Sequence, residues 1–261
     1  MEKKRLSFTQ ISMYLRCPRQ YFYRYIQGIR TPSSGAAIQG RVWHDTLERN
    51  YRQKVTSHED LPLEKLQEFF SERFDEALKI EEIALERDED LGALKDQGLA
   101  IVAAHHLVIA PGVQPLFVEK SFRVPLGADF PYDLTGVWDL IEQDCTIADG
   151  KAYTKPPSQF DLDRDLQLGL YSLAYRLSFG EIEKGLRVDA VIKTKEPKAV
   201  QLPTSRTNRD CRWLLGLIED TARAIDRGTW FPNPTGWWCG PKYCGFHDRC
   251  KESNNQQEEK P

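Results

Sequence analysis

Apolar positions change their spacing along the chain, from a helical period in the first part to strict alternation near the middle. Apolar residues three and four positions apart, with charged residues opposite, are typical of amphipathic helices. Alternating apolar and polar residues are typical of strands with one buried face. This pattern predicts helices over about 37–51, 63–85, 94–109, 163–177 and 208–227, and strands over about 116–124, 134–142, 145–149, 186–194 and 198–202.

The two ends of the chain differ from the middle. Ser7 or Thr9 is suited to cap a first helix, and Cys17-Pro18 then places Cys17 at the start of a second one. From Trp230 onward the chain is loop-like and rich in cysteine. The order of elements predicts an α/β fold in a single domain over 1–251, with a helical arm inserted at about 53–110 and a flexible tail at 252–261.

Composition and charge exclude several classes of protein. With 261 residues, 40% of them hydrophobic and 29% charged, the chain is neither disordered nor fibrous. No apolar run approaches the roughly 18 residues of a membrane span, and no signal peptide is recognisable, so we expect a cytoplasmic protein. The net charge of −3 excludes a generally basic surface, so contact with nucleic acid requires a local patch. The candidates for such a patch are Arg16, Arg19, Arg24, Arg30, Lys193, Lys195, Lys198, Arg206 and Arg209. The alternative is that these residues are ordinary solvated surface charges.

Two aspartates and a lysine form the first candidate site. Asp139 lies inside a predicted apolar strand, where a charge is costly unless it is paired or binds a metal. Asp149 ends the next predicted strand, and adjacent antiparallel strands would bring the two carboxylates together as ligands for Mg²⁺ or Mn²⁺. Lys151 shares a strand face with Asp149, where it can position a water and stabilise charge on a phosphate. The alternative is that Asp149-Gly150-Lys151 is a tight turn between strands.

Four further polar positions accompany this site. Gln167 and Tyr171 are four apart and therefore share one face of a predicted helix. His44 lies on an earlier predicted helix, although a lone helical histidine is more often a satisfied or surface residue than a ligand. Glu119 precedes Asp139 by one strand and is either an outer partner of the site or a surface residue.

The spacing of the cysteines indicates a second site. Cys239, Cys244 and Cys250 lie within twelve residues, and clustered thiols in a reducing compartment favour a metal or cluster site over disulfides. Cys145 and Cys211 have no such context and are predicted to be core residues.

Taken together, these motifs resemble a known family. The chain is similar to the PD-(D/E)XK nuclease superfamily, and specifically to its RecB-like branch with a four-cysteine iron–sulfur cluster, which includes the AddB nuclease domain, CRISPR-associated RecB-like exonucleases and phage-encoded relatives. The motifs that carry the resemblance are Ser7-x4-Ser12-x4-Cys17-Pro18-x2-Tyr21, Gly40-x3-His44, Gly136-x2-Asp139, Asp149-x-Lys151, Gln167-x3-Tyr171 and the cysteines 239, 244 and 250. Gly150 and Ala152 depart from the family pattern, which often has a larger residue before the lysine and a threonine after it.

The resemblance implies a restriction-endonuclease-like mixed central sheet flanked by helices. It implies that His44, Asp139, Asp149 and the Gly150 carbonyl hold Mg²⁺ or Mn²⁺ and that Lys151 acts on the water or the transition state. Gln167 and Tyr171 would contact DNA or support the site. Cys17 would join the three C-terminal cysteines to tie segments 12–25 and 230–251 together. Spacing alone does not choose between Zn²⁺ and an iron–sulfur cluster, and the resemblance favours [4Fe–4S].

The function implied by the resemblance is that of a metal-dependent deoxyribonuclease. It would be an exonuclease acting on single strands or DNA ends in recombination, repair, phage DNA metabolism or spacer acquisition, alongside helicase, recombination or CRISPR proteins. Because of Gly150 and Ala152, a weakly active or inactive DNA-binding or assembly subunit with the same fold is the alternative. A structural zinc protein is the third hypothesis.

Overall fold

The computed structural model describes residues 3–84 and 90–255. The strands are β1 (Lys4–Ser7), β2 (Pro115–Pro125), β3 (Tyr132–Glu142), β4 (Thr146–Tyr153), β5 (Gly185–Ile192) and β6 (Lys198–Thr204). The helices are α1 (Phe8–Arg16), α2 (Pro18–Tyr21), α3 (Gly35–Ser57), α4 (Leu63–Ile80), α5 (Leu91–Val108), α6 (Gln159–Leu162), α7 (Leu166–Phe179), α8 (Asn208–Asp226) and α9 (His247–Asn255). A π-helical turn follows at Phe22–Ile26 and a 3₁₀ turn at Ala110–Gly112.

The strands form one mixed six-stranded sheet in the order β1-β3-β4-β5-β6, with β2 also paired to β3. Strands β2–β3, β3–β4 and β5–β6 are antiparallel, whereas β1–β3 and β4–β5 are parallel. The parallel step from β4 to β5 is made through α7, as a parallel pair requires a crossover connection. This mixed α/β arrangement agrees with the fold expected from the sequence.

Helices cover both faces of the sheet. On one face α3, α4 and α5 pack around Trp43, Phe70 and Phe74, and this core reaches the sheet at Val191 of β5. On the other face α1, α7 and α8 bury a larger core. The α8 contribution includes Leu214 and Ile218, which follow the predicted helical spacing. Of the helices in the described ranges, none is long and apolar enough to cross a bilayer.

The start of the chain follows the sequence prediction closely. The Ser7 hydroxyl accepts a hydrogen bond from the Gln10 backbone N–H, and the Gln10 side chain accepts one from the Ser7 N–H. This capping box begins α1. Cys17 is the residue between α1 and α2, and Pro18 occupies the first position of α2, as predicted. The preceding strand β1 was not predicted, because four residues give too short an alternating pattern.

The structure corrects three predicted boundaries. Strand β4 does not end at Asp149 but continues to Tyr153, so Asp149-Gly150-Lys151 is paired with β5 and is not a tight turn. The helix assigned to Asp163 begins later, because the side chain of Asp165 caps it through the Leu168 N–H. The helix that starts at Leu63 ends at residue 80.

The cysteine-rich end holds one helix that the sequence pattern did not predict. Helix α9 runs into the first residues of the predicted tail, and the remainder, 256–261, lies outside the described residues. The residues of α9 are mostly polar, so the helix lacks the apolar stripe on which helix prediction depends. The predicted helical arm, 53–110, contains α4 and α5.

Candidate active site

The site lies where strands β3 and β4 separate. Their ladder consists of Leu140 opposite Ala148 and Ile141 opposite Ile147. Continuing the same register by one step would place Asp139 opposite Asp149, but the pairing stops before it. The two carboxylates therefore stand at a fork in the sheet, where polar groups can reach them without disrupting a ladder.

A local irregularity in β2 and β3 sets the direction of Asp139. Trp138 and Ile141 both pack in the core beneath α7, although residues three apart on a regular strand point to opposite faces. Glu119 lies opposite Asp139 on β2 and has a φ of 47°. The paired residues on either side of it are Val118 with Leu140 and Lys120 with Trp138. A left-handed backbone at a non-glycine residue costs about 1–3 kcal/mol and concentrates at functional sites.

Lys151 connects the second aspartate to helix α7. The Lys151 Nζ lies 2.5 Å from Asp149 Oδ2 and donates a hydrogen bond of 2.8 Å to Gln167 Oε1. Asp149 and Lys151 are two residues apart on β4 and share a face, as the sequence predicted. Gln167 lies on the first turn of α7, so the helix start positions the lysine.

The contacts continue from α7 to the first aspartate and to helix α3. Gln167 Nε2 donates to the Tyr171 hydroxyl at 2.9 Å, and that hydroxyl donates to Asp139 Oδ1 at 2.9 Å. The other Asp139 oxygen lies 3.3 Å from His44 Nδ1. One connected chain of contacts thus joins six of the side chains that the sequence analysis grouped: Asp149, Lys151, Gln167, Tyr171, Asp139 and His44.

Charge in the site is only partly balanced. Asp149 is 1% exposed, and its Oδ1 atom has no hydrogen-bond partner among the described residues. Burial, together with the Asp139 charge, raises the pKa of Asp149 to about 7 despite Lys151. Burial also acts on Asp139, but hydrogen bonds from His44 and Tyr171 lower the pKa of Asp139 below its usual value. An orphaned buried carboxylate oxygen beside a second carboxylate and an imidazole fits a divalent cation.

Glu119 is a member of the site that sequence reasoning undervalued. Ligand atoms of His44, Glu119 and Asp139 all lie within 4.8 Å of one another. Glu119 is half-buried, so it is not the surface residue that the sequence left open. Burial, then Asp139 and Glu48, raise the pKa of Glu119 to about 7. The sequence signal was its place one strand before Asp139, but no residue pattern indicated the backbone turn that aims it inward.

Gly150 is explained by the close approach of helix α3. A Cβ at this position would lie 3.2 Å from Leu47 Cδ1 and 3.3 Å from Trp43 Cη2. Trp43 is 2% exposed and precedes His44 on α3. The glycine therefore lets α3 pack against β4 at the level of the site, and strand pairing with β5 holds the position of Lys151.

The second candidate site is a cavity of about 200 Å³ lined by all four predicted cysteines. Cys17 and Cys244 are buried, whereas Cys239 and Cys250 are half-buried. Tyr23, Trp238 and Phe246 contribute apolar wall. The cavity joins the start of α2 to the C-terminal segment, as the sequence predicted for these four residues.

Polar groups around this cavity suit anionic sulfur. Gln20 Nε2 donates to Cys244 Sγ at 3.2 Å, and the Asn233 backbone N–H donates to Cys17 Sγ at 3.4 Å. Burial raises the pKa of the Cys250 thiol, and the neighbouring Arg19 opposes that effect. Hydrogen-bond donors to sulfur are a common feature of the surroundings of cysteines that bind a metal or cluster.

Comparisons with known proteins identify the family of the chain. The fold is similar to that of "Putative exonuclease" from Eubacterium rectale, with a TM-score of 0.61, 12% identity and coverage of 91% of this chain and 88% of that one. A second solved structure, SSO0001, has 12% identity, covers 93% of this chain and 94% of that one, and has a TM-score of 0.37. No curated protein matches the sequence. Residues 5–251 match the model of the PD-(D/E)XK nuclease superfamily, and the chain belongs to that superfamily.

Proposed function

We propose that this chain is a metal-dependent deoxyribonuclease that removes nucleotides from the ends of DNA, within a single domain over 1–251. The observation that carries the proposal is the unbroken chain of contacts from Lys151 through Gln167 and Tyr171 to Asp139 and His44. Superfamily membership supports nuclease chemistry, and the strand pairing of Gly150 supports an active enzyme over the inactive-subunit alternative.

Each residue of the proposed site has a distinct role. His44, Asp139, Asp149 and the Gly150 carbonyl would hold Mg²⁺ or Mn²⁺, which supplies activation of a water and neutralises charge on the scissile phosphate. Lys151 orients that water and stabilises the phosphate charge that builds in the transition state. Gln167 and Tyr171 position Lys151 and Asp139, because each of them contacts both a neighbour on α7 and a group on the sheet.

Dependence on DNA ends tests the exonuclease part of the proposal. With Mg²⁺ or Mn²⁺, we expect the purified protein to digest linear single strands and to spare a circular single strand of the same sequence. Strands labelled at the 5′ or the 3′ end report polarity, because the label on the attacked end is released first. Comparable cutting of the circle would instead identify an endonuclease.

Glu119 is proposed as an additional metal ligand opposite Asp139. Glu119→Gln keeps the size of the side chain and removes its charge, so we expect Mn²⁺ affinity to fall about 10–100-fold, the range seen when groups supporting a metal are lost. Calorimetric titration of the metal-free protein with Mn²⁺ measures this directly. The matched control is Glu181→Gln, at an exposed position. Unchanged Mn²⁺ affinity in Glu119→Gln would remove Glu119 from the site.

The four-cysteine cavity is proposed to hold a [4Fe–4S] cluster, as in the RecB-like branch. Four thiolates are the usual ligand set of such a cluster. All four cysteines line one cavity of about 200 Å³, which supports a shared metal site, and the resemblance to the RecB-like branch favours [4Fe–4S] over Zn²⁺. We assign the cluster a structural role, since Cys17 and the C-terminal cysteines lie at opposite ends of the chain.

A further inference from the structure

A groove on the far side of helix α7 from Lys151 carries a second set of groups suited to DNA. This α7–α8 groove has a volume of about 410 Å³ and is lined by residues of the α6–α7 turn, the start of α7 and the start of α8. Pockets of about 300–1,000 Å³ are typical of ligand sites. Gly169 lies in the groove wall, and a Cβ there would point toward Leu214 and Arg206 Nε, at 3.2 and 3.7 Å.

Arg206 supplies a buried positive charge at the floor of the α7–α8 groove. It is 9% exposed, and its terminal nitrogens donate only to neutral acceptors: the Thr204 hydroxyl and the backbone carbonyls of Leu162, Ser205 and Asp165. Its fifth donor, Nε–H, has no acceptor within the part of the chain that the structure describes. Among the described residues no carboxylate oxygen hydrogen-bonds the guanidinium directly, although Asp165, Asp163 and Asp210 lie near enough to act on its charge. A phosphate at the groove could accept the remaining Nε–H bond.

Asp163, Asp165 and Asp210 also line the groove and their charges act on Arg206, but their side-chain oxygens accept hydrogen bonds from other groups. Asp165 accepts the Leu168 N–H, and Asp210 accepts from Thr207, so both cap helices. Asp163 accepts from Gln159 and Thr204. These bonds hold the three carboxylates in the protein framework beside the groove.

The rim of the groove presents flat, exposed surfaces. Trp213 is 68% exposed on one side. On the other side Phe160 is 59% exposed, and the Arg164 guanidinium stacks on its ring at 3.7 Å. No carboxylate pairs with Arg164 among the described residues. Aromatic rings that stack bases, together with arginines for the backbone, are the usual means of binding single-stranded nucleic acid.

We propose that the α7–α8 groove binds single-stranded DNA next to the active site, with phosphates at Arg206 and Arg164 and a base stacked on Trp213. This inference rests on the proposed nuclease function and names where its substrate lies. Gln167, which contacts Lys151, and Gly169, which lines the groove, lie on opposite sides of the same turns of α7. A helix is about 10 Å across, so a strand that rounds the start of α7 reaches from the groove to Lys151 within a few nucleotides.

The test measures binding separately from cleavage. Fluorescein-labelled oligothymidylate is titrated with the protein in Ca²⁺, and the Kd is read by anisotropy. We expect Trp213→Ala to weaken binding about 10-fold, the effect of losing one stacked base. We expect Arg164→Ala to lower the slope of log K against log salt by about 0.7, the contribution of one phosphate contact on a single strand.

A matched exposed tryptophan provides the control. Trp237 is 75% exposed in the cysteine-rich segment, and Trp237→Ala is expected to bind oligothymidylate as the unmodified protein does. If Trp213→Ala and the unmodified protein bind oligothymidylate with equal affinity, the groove proposal is wrong, even if DNA is digested. Binding that depends on Trp213 without any digestion supports the groove and instead overturns the proposed hydrolysis. An unmodified protein that binds no oligothymidylate also overturns the groove.

Discussion

Asp139→Asn is expected to abolish Mg²⁺- or Mn²⁺-dependent DNA hydrolysis while the protein remains folded. Asparagine keeps the shape of the side chain and can still accept the Tyr171 hydrogen bond, but it removes the charge that faces His44. Loss of a metal-binding charge at the reacting phosphate corresponds to a rate reduction of at least about 10³-fold, or ~4 kcal/mol. The measurement is the initial rate of digestion of end-labelled DNA, with thermal unfolding recorded in parallel.

Two companion variants make this result specific. Lys151→Ala should also lose about 10²–10³-fold in rate, because one donor to the transition-state charge is removed. Asp129→Asn, at an exposed loop position between β2 and β3, should keep full activity. Activity of Asp139→Asn within tenfold of the unmodified protein would show that the metal is held elsewhere. Absence of metal-dependent digestion by the unmodified protein would instead favour the hypothesis of a non-catalytic subunit.

Replacing Cys244 by serine is expected to release the proposed [4Fe–4S] cluster and to loosen the C-terminal segment. Cys244 packs with Tyr23 and Phe246 in a small core that is separate from those of the sheet. A link between chain ends as distant as Cys17 and Cys239 stabilises by about 4–5 kcal/mol in the loop-closure model. We expect loss of iron and of the brown colour, a lower unfolding temperature, and faster proteolysis after residue 230.

Cys145 offers the matched control, because it is half-buried and lies outside the cavity. Cys145→Ser is expected to retain roughly four irons per chain, the content of a [4Fe–4S] cluster. If the unmodified protein, purified without oxygen, contains stoichiometric zinc and no iron, the cavity is a zinc site and the cluster assignment is wrong. Unchanged metal content in Cys244→Ser would exclude Cys244 as a ligand.

The parts of the fold that have a strong periodic pattern were predictable. Helix α8 is an example, since its apolar stripe predicts a helix over 208–227 and the structure has one at Asn208–Asp226. Strand β4 was cut short at Asp149 because Asp and Gly normally indicate a turn. Its continuation depends on pairing with β5, a contact between distant residues that a local pattern does not contain.

The members of the candidate site were predictable from motif order, but their geometry was not. Gln167 and Tyr171 were assigned to one helix face, yet nothing in the sequence shows that they link Lys151 to Asp139. Glu119 was undervalued for the same kind of reason. The direction of its side chain depends on a left-handed backbone conformation at residue 119, and no sequence pattern predicts that conformation at a glutamate.

The close approach of Gly150 to Leu47 and Trp43 sets how near strand β4 lies to α3, the helix that carries His44. A Cβ added at 150 would require the Leu47 or Trp43 side chain to shift by a few tenths of an ångström. We therefore expect a larger residue at 150 in a homologue to be accompanied by a change at 43 or 47. If residues 43, 47 and 150 change together among homologues, selection has acted to keep the distance between the His44 imidazole and the Asp139 carboxylate.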